Sequence, residues 1–181
     1  MSYPWYETID EDNNSLEQGD IVDECRIIVP GQEHYQNIMM CSTTEGIPTP
    51  VQTIHGILMS QSCDIANDKV DFVILCPLWS LSELEASQRN DLRKGRLYAY
   101  HLLEEFDTPT LPKDFYFVDF HHIHSIPKDF LRETVKGKKR KRLLPPYREH
   151  LSQSFARYFM RVGLPIGIAE EKIKNYGRDV S

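Results

Sequence analysis

Between positions 136 and 142 every residue except Gly137 is basic: Lys136, Lys138, Lys139, Arg140, Lys141 and Arg142. Dense positive charge on a glycine-containing segment neutralises phosphates and releases their counterions, so the chemistry it suggests is anion binding, with RNA as the leading ligand. Arg148, Arg157 and Arg161 follow within a few helical turns and extend the patch. The opposite sign sits at the other end of the chain. Residues 1–24 carry Glu7, Asp10, Glu11, Asp12, Glu17, Asp20, Asp23 and Glu24 and no Lys or Arg. Two rival users of the basic patch follow from this segregation: an acidic protein partner, and the chain's own acidic N-terminal arm.

A second chemistry-bearing string is Ser60-Gln61-Ser62-Cys63-Asp64-Ile65, polar residues at the end of an apolar run. A cysteine nucleophile needs a histidine to take its proton and a third group to orient that histidine. His55, His121, His122 and His124 are available, but nothing local to Cys63 supplies the pair, so a structural turn is expected, with Asp64 hydrogen-bonding it. The string His121-His122-Ile123-His124 raises a metal reading, since alternate strand positions share a face and would set His122 beside His124. Convincing further ligands are missing, and half-exposed strand histidines are expected instead. The four cysteines, Cys25, Cys41, Cys63 and Cys76, lack CxxC spacing and read as buried free thiols. Neither a metal nor a cofactor is expected.

These residues must be placed by a strand-rich body. Segments 20–29, 36–41, 53–59 and 70–77 read as strands, the last two as continuous apolar runs suited to the centre of a sheet. Overlapping Ser-x-x-Glu capping boxes at Ser80 and Ser82 open a helix that ends at Gly95. Segments 96–103 and 115–124 return to strand composition, for about six strands in all. The clearest element is the last helix. Pro145-Pro146 primes it, Gly163 and Pro165 stop it, and Tyr147, Leu151, Phe155, Tyr158, Phe159 and Val162 form an apolar face. His150, Ser154, Arg157 and Arg161 form the opposite stripe.

With 181 residues, 40% hydrophobic and 27% charged, the chain has the composition of one folded domain and not of a disordered or fibrous chain. We divide it into an acidic arm (1–17), a barrel-like body (18–125), a basic loop (126–145), a helix (146–163) and a tail (164–181). Met1-Ser2-Tyr3-Pro4-Trp5 lacks the basic flank and apolar stretch of a signal peptide, and no apolar run reaches spanning length. A cytoplasmic protein without membrane contact is the expectation. Its oligomeric state is open, and a homodimer is compatible with it.

Gly19-Asp20-Ile21 opening the first long strand, Ile57-Leu58-Met59-Ser60 ending a later one, and Val73-Ile74-Leu75-Cys76-Pro77 running into Leu78-Trp79-Ser80 together resemble the PemK/MazF-like toxins. The resemblance covers roughly residues 18–85. It implies an α+β, mainly β fold: an SH3-like β-barrel with one inserted helix and a C-terminal amphipathic helix. In that family an Arg-Pro pair and a Thr-Ser pair flank these strands, and the Arg and Thr serve RNA cleavage. Here His55-Gly56 and Trp79-Ser80 stand in their places. Losing the cation and the hydroxyl together removes several kcal/mol of transition-state stabilisation, so the resemblance implies a catalytically degenerate, bacterial, regulatory or defence-associated barrel that binds RNA or another anionic partner. Two alternatives stay open. One is an active endoribonuclease with His55 as acid/base, Ser80 as phosphate contact and Arg142 or Arg148 as charge stabiliser. The other is a protein-interaction switch, or the substrate of a protease in a CRISPR-linked defence system.

Overall fold

The computed structural model describes residues 3–40 and 50–160. Cys41, Arg161, Val162 and the tail 164–181 lie outside the described residues. The chain is α+β and mainly β, with elements β1 (Tyr6–Ile9), β2 (Ile21–Ile28), α1 (Gln32–Met40), β3 (Val51–Leu58), α2 (Ser62–Ala66), β4 (Phe72–Ser80), α3 (Ala86–Arg93), β5 (Tyr100–Leu102), β6 (Tyr116–Asp119), β7 (His124–Pro127), α4 (Lys128–Val135), β8 (Arg140–Leu143) and α5 (Tyr147–Phe159). The main sheet is antiparallel and runs β2-β3-β4-β6-β5, with β7 also on β4. β1 pairs β8 in a second small sheet, joined to the start of β2 by the Asp20–Arg142 bridge and the Leu143 N–H to Gly19 carbonyl bond. The strands do not close into a barrel. No helix among the described residues is long and apolar enough to cross a membrane.

β4 is the axis of this arrangement because its apolar run buries both faces. Cys76 and Leu78 enter a core with Ile21, Ile57, Phe120 and Leu151, while Val73 and Leu75 enter another with Val22, Leu58 and Leu131. On one edge β4 carries β3, where Gly56 faces Pro77; a Cβ at Gly56 would stand 2.7 Å from Leu75 Cγ, so only glycine fits. On the other edge β4 pairs β7 through Phe72–Leu75 and β6 through Leu78–Ser80. The predicted single strand over 115–124 is thus split, and Pro77 supplies the reason. Ladder alternation points position 77 toward the β6/β7 edge, where proline has no N–H to donate. The chain leaves the sheet after Asp119 and returns at His124.

Several other expectations are corrected. Segment 36–41 is not a strand: residues through Met40 belong to α1, where Gln32, Glu33, Gln36, Met39 and Met40 favour a helix and no residue is buried. The predicted helix starts late, because Ser80 ends β4 and caps a 3₁₀ turn through its bond from Ser82 N–H, while Glu85 and Gln88 form the capping box of α3. From Tyr3 onward the arm is tied down by β1 and by Trp5, whose ring stacks on Tyr147 at 3.7 Å. The basic loop 126–145 is a strand end, α4 and β8. Leu151 of α5 is fully buried and Phe155 packs edge-on against Phe120 at 5.3 Å, but Phe159 is 56% exposed because the last turn overhangs the core.

Candidate functional site

The basic run divides according to strand alternation in β8. Arg140 and Arg142, two residues apart, turn inward onto Asp20, which is fully buried. Arg140 Nε donates to Asp20 Oδ2 at 3.1 Å, and its Nη atoms reach the carbonyls of Asn13 and Ser15. Arg142 donates Nε to Asp20 Oδ1, Nη2 to Asp20 Oδ2 at 3.1 Å and Nη1 to Glu17 Oε1 at 2.7 Å. Both guanidiniums are buried, so neither is available as the surface phosphate contact expected of it; the acidic arm has taken them. Lys136 is bridged to Glu133 at 3.1 Å, Lys141 donates to Thr8 at 3.1 Å, and Arg148 reaches Glu149 at 3.3 Å. Lys138, Lys139 and Arg157 have no ion-pair partner among the described residues.

Lys138 and Lys139 stand on the turn between α4 and β8, made by Gly137 at φ +69. They rim a cavity of about 320 Å³ whose walls include Thr110, Thr134, Asp23 and Glu24. Asp23 is aimed by a β-bulge: the β2–β3 register shifts between Val22 and Cys25, and Glu24 adopts φ +49, a conformation a non-glycine residue holds only when its surroundings impose it. The bulge brings Asp23 Oδ1 to 3.7 Å from His55 Nδ1, and both atoms are buried without a hydrogen-bond partner among the described residues. Unpaired buried polar atoms are uncommon and costly, which marks the pair as something other than packing.

Next to it, Ser80 Oγ donates to Asp114 Oδ2 at 2.5 Å. Tyr116, the partner of Ser80 across the β4–β6 ladder, has its pKa raised by burial first and then by the charges of Asp114 and Asp23. Its hydroxyl donates to the Pro112 carbonyl at 2.7 Å. His55 and Ser80 are therefore each backed by a carboxylate in one cluster, though no hydrogen bond joins them. Sequence reading missed Asp23 and Asp114. The signal for Asp23 was an acidic pair, Asp23-Glu24, inside a strand whose other residues are apolar except Arg26. The expected charge stabiliser is missing from the cluster: Arg142 is committed to Asp20, and Arg148 does not line the cavity.

The Ser60–Ile65 string is not the expected turn: Ser60 and Gln61 lead out of β3, and Ser62 to Ile65 lie in the short helix α2. Ser60 Oγ accepts from Ile74 N–H at 2.8 Å, Ser62 Oγ accepts from Gln18 N–H at 3.0 Å, and Cys63 lies exposed with its thiol 3.7 Å from Asp64. Its exposure corrects the buried-thiol reading, which holds for Cys25 and Cys76, where burial pushes the thiols up to about 11 and about 12. His121 and His122 leave the strand and both turn back on Asp119, at 3.0 and 2.8 Å, so His122 and His124 do not share a strand face. Among the described residues no group of three metal-ligating side chains converges.

Compared with known protein families, curated proteins and solved structures, the chain matches none of them.

Proposed function

We propose that this protein binds single-stranded RNA, with phosphates on Lys138 and Lys139 and a ribose hydroxyl directed at the Asp23–His55 pair. The observation that carries the reading is one cavity lined both by Asp23 and by two lysines that have no ion-pair partner among the described residues. A hydroxyl donor satisfies Asp23, and the lysines neutralise the backbone as they release counterions. Glu11 and Glu24, which also line the cavity, repel a second phosphate, so the reading runs the RNA backbone along the lysines. The reading keeps a PemK/MazF-like, SH3-type body as scaffold, supported by the antiparallel run from β2 through β6, and a regulatory or defence-associated role without nuclease activity. Fluorescence anisotropy with a labelled single-stranded RNA tests it. Affinity should fall with salt, and Lys138→Gln/Lys139→Gln should weaken binding and flatten the log–log salt slope by about 2, one for each phosphate no longer neutralised. Absence of binding at low salt would move the lysines to an acidic protein partner.

A second reading, endoribonuclease, is favoured by the carboxylate behind each of His55 and Ser80. Cleavage of RNA by the purified protein, abolished in His55→Ala, would establish it over the first.

A further inference from the structure

The polar stripe of α5 meets the sheet at a second cavity. His150, Ser154 and Arg157 lie at helical spacing on one face, and β5 sends His101 toward them. Ser154 Oγ stands 3.0 Å from His101 Nδ1, and the His150 ring lies edge-on to His101 at 5.2 Å. Burial, then His150, lowers the His101 pKa to about 4, so this imidazole is neutral at pH 7 and holds Ser154 without adding charge. Two arginines complete the cavity. Arg93 ends α3 and donates to Asn90 at 3.3 Å, and neither it nor Arg157 has an ion-pair partner among the described residues. Among the described residues no carboxylate lines this space of about 270 Å³, and the rings of Tyr98, Tyr100 and Trp5 supply its aromatic wall.

Guanidiniums match phosphate oxygens with paired N–H donors, and aromatic rings take the face of a base irrespective of its identity. The volume is at the small end for a ligand site, enough for one nucleotide and too little for an oligonucleotide. We infer that this cavity binds a single nucleoside phosphomonoester, its phosphate between Arg93 and Arg157 with the Ser154 hydroxyl beside it, and its base against Tyr98. The ligand is either a free nucleotide or the 5′-phosphorylated end of an RNA chain. The cavity shares no lining residue with the one beneath Lys138 and Lys139, so the inference stands apart from the RNA-binding reading.

Titration calorimetry on the full chain provides the test, with AMP, adenosine, and an oligouridylate carrying either a 5′-phosphate or a 5′-hydroxyl. AMP should bind about tenfold more tightly than adenosine, because only AMP carries the charge the arginines recognise. Arg157→Gln and Arg93→Gln are surface changes and should each weaken AMP by about fivefold with an unchanged melting temperature. Inorganic phosphate should compete with AMP on the unaltered protein, a readout independent of any variant. Lys138→Gln/Lys139→Gln should leave AMP binding intact even where RNA binding is abolished. A preference for the 5′-phosphorylated oligomer identifies the chain end as ligand; AMP binding without that preference identifies a free nucleotide. Equal affinity for AMP and adenosine, or AMP binding indifferent to both arginine changes, overturns the inference.

Discussion

Arg142 donates to both carboxylate oxygens of Asp20, one from Nε and one from Nη2, in a setting where the carboxylate is wholly buried. A bidentate pair of this kind is strong in geometry, yet its value lies mostly in what its disruption leaves behind: an uncompensated charge out of water. Arg142→Ala should cost up to about 3–5 kcal/mol in urea denaturation, because Asp20 is left with Arg140 as its one remaining cation and Glu17 loses its 2.7 Å partner. Lys141→Ala, one residue away and facing outward, should stay within about 0.5 kcal/mol. Equal effects would mean that β8 is not inserted as described.

His101 sets a pH dependence. Its folded pKa of about 4 lies below the ordinary 6.5, so the unfolded chain takes up the proton first. Its contribution is complete above pH 6.5 and is lost as the pH falls toward about 4, with a slope of up to about 1.4 kcal/mol per pH unit. Denaturation midpoints across that window should fall in the unaltered protein and flatten in His101→Gln. A stability profile unchanged by the substitution would contradict the burial of this ring.

The last helix should show a gradient along its length. Leu151→Ala removes a fully buried side chain and should cost about 2–5 kcal/mol. Phe159→Ala, at an exposed end, should cost under about 1 kcal/mol. Thermal denaturation of the two variants checks the order, and a larger loss at Phe159 would reverse the assigned overhang.

Cysteine labelling separates burial from reactivity. Iodoacetamide at neutral pH, read by peptide mass mapping, should modify Cys63 in the native protein and spare Cys25 and Cys76, whose thiols are buried and pushed toward about 11 and about 12. The Cys63 rate should match that of a small model thiol. A much faster rate would point to a stabilised thiolate and revive the nucleophile reading.

Much of the body was legible from residue order alone. Continuous apolar runs marked β3 and β4, Gly95 stopped a helix, and Pro146 with a 3.6-residue period marked α5, because these signals are local and need no partner to express themselves. The candidate sites were legible only in pieces. His55, Ser80 and the lysines stand out by type, but Asp23 reaches His55 only because a bulge in β2 rotates it, and a bulge exists only relative to the strand it pairs with. His101 and Ser154 lie 53 positions apart and meet only when α5 packs across β5. The basic run shows the division most clearly. Composition determined that Arg140 and Arg142 carry charge and that an acidic arm stands at the other end of the chain, and left open whether the two meet. Only the pairing of β8 with β1, which fixes which face of the strand looks inward, decided that they would spend that charge on Asp20 while Lys138 and Lys139 kept theirs at the surface.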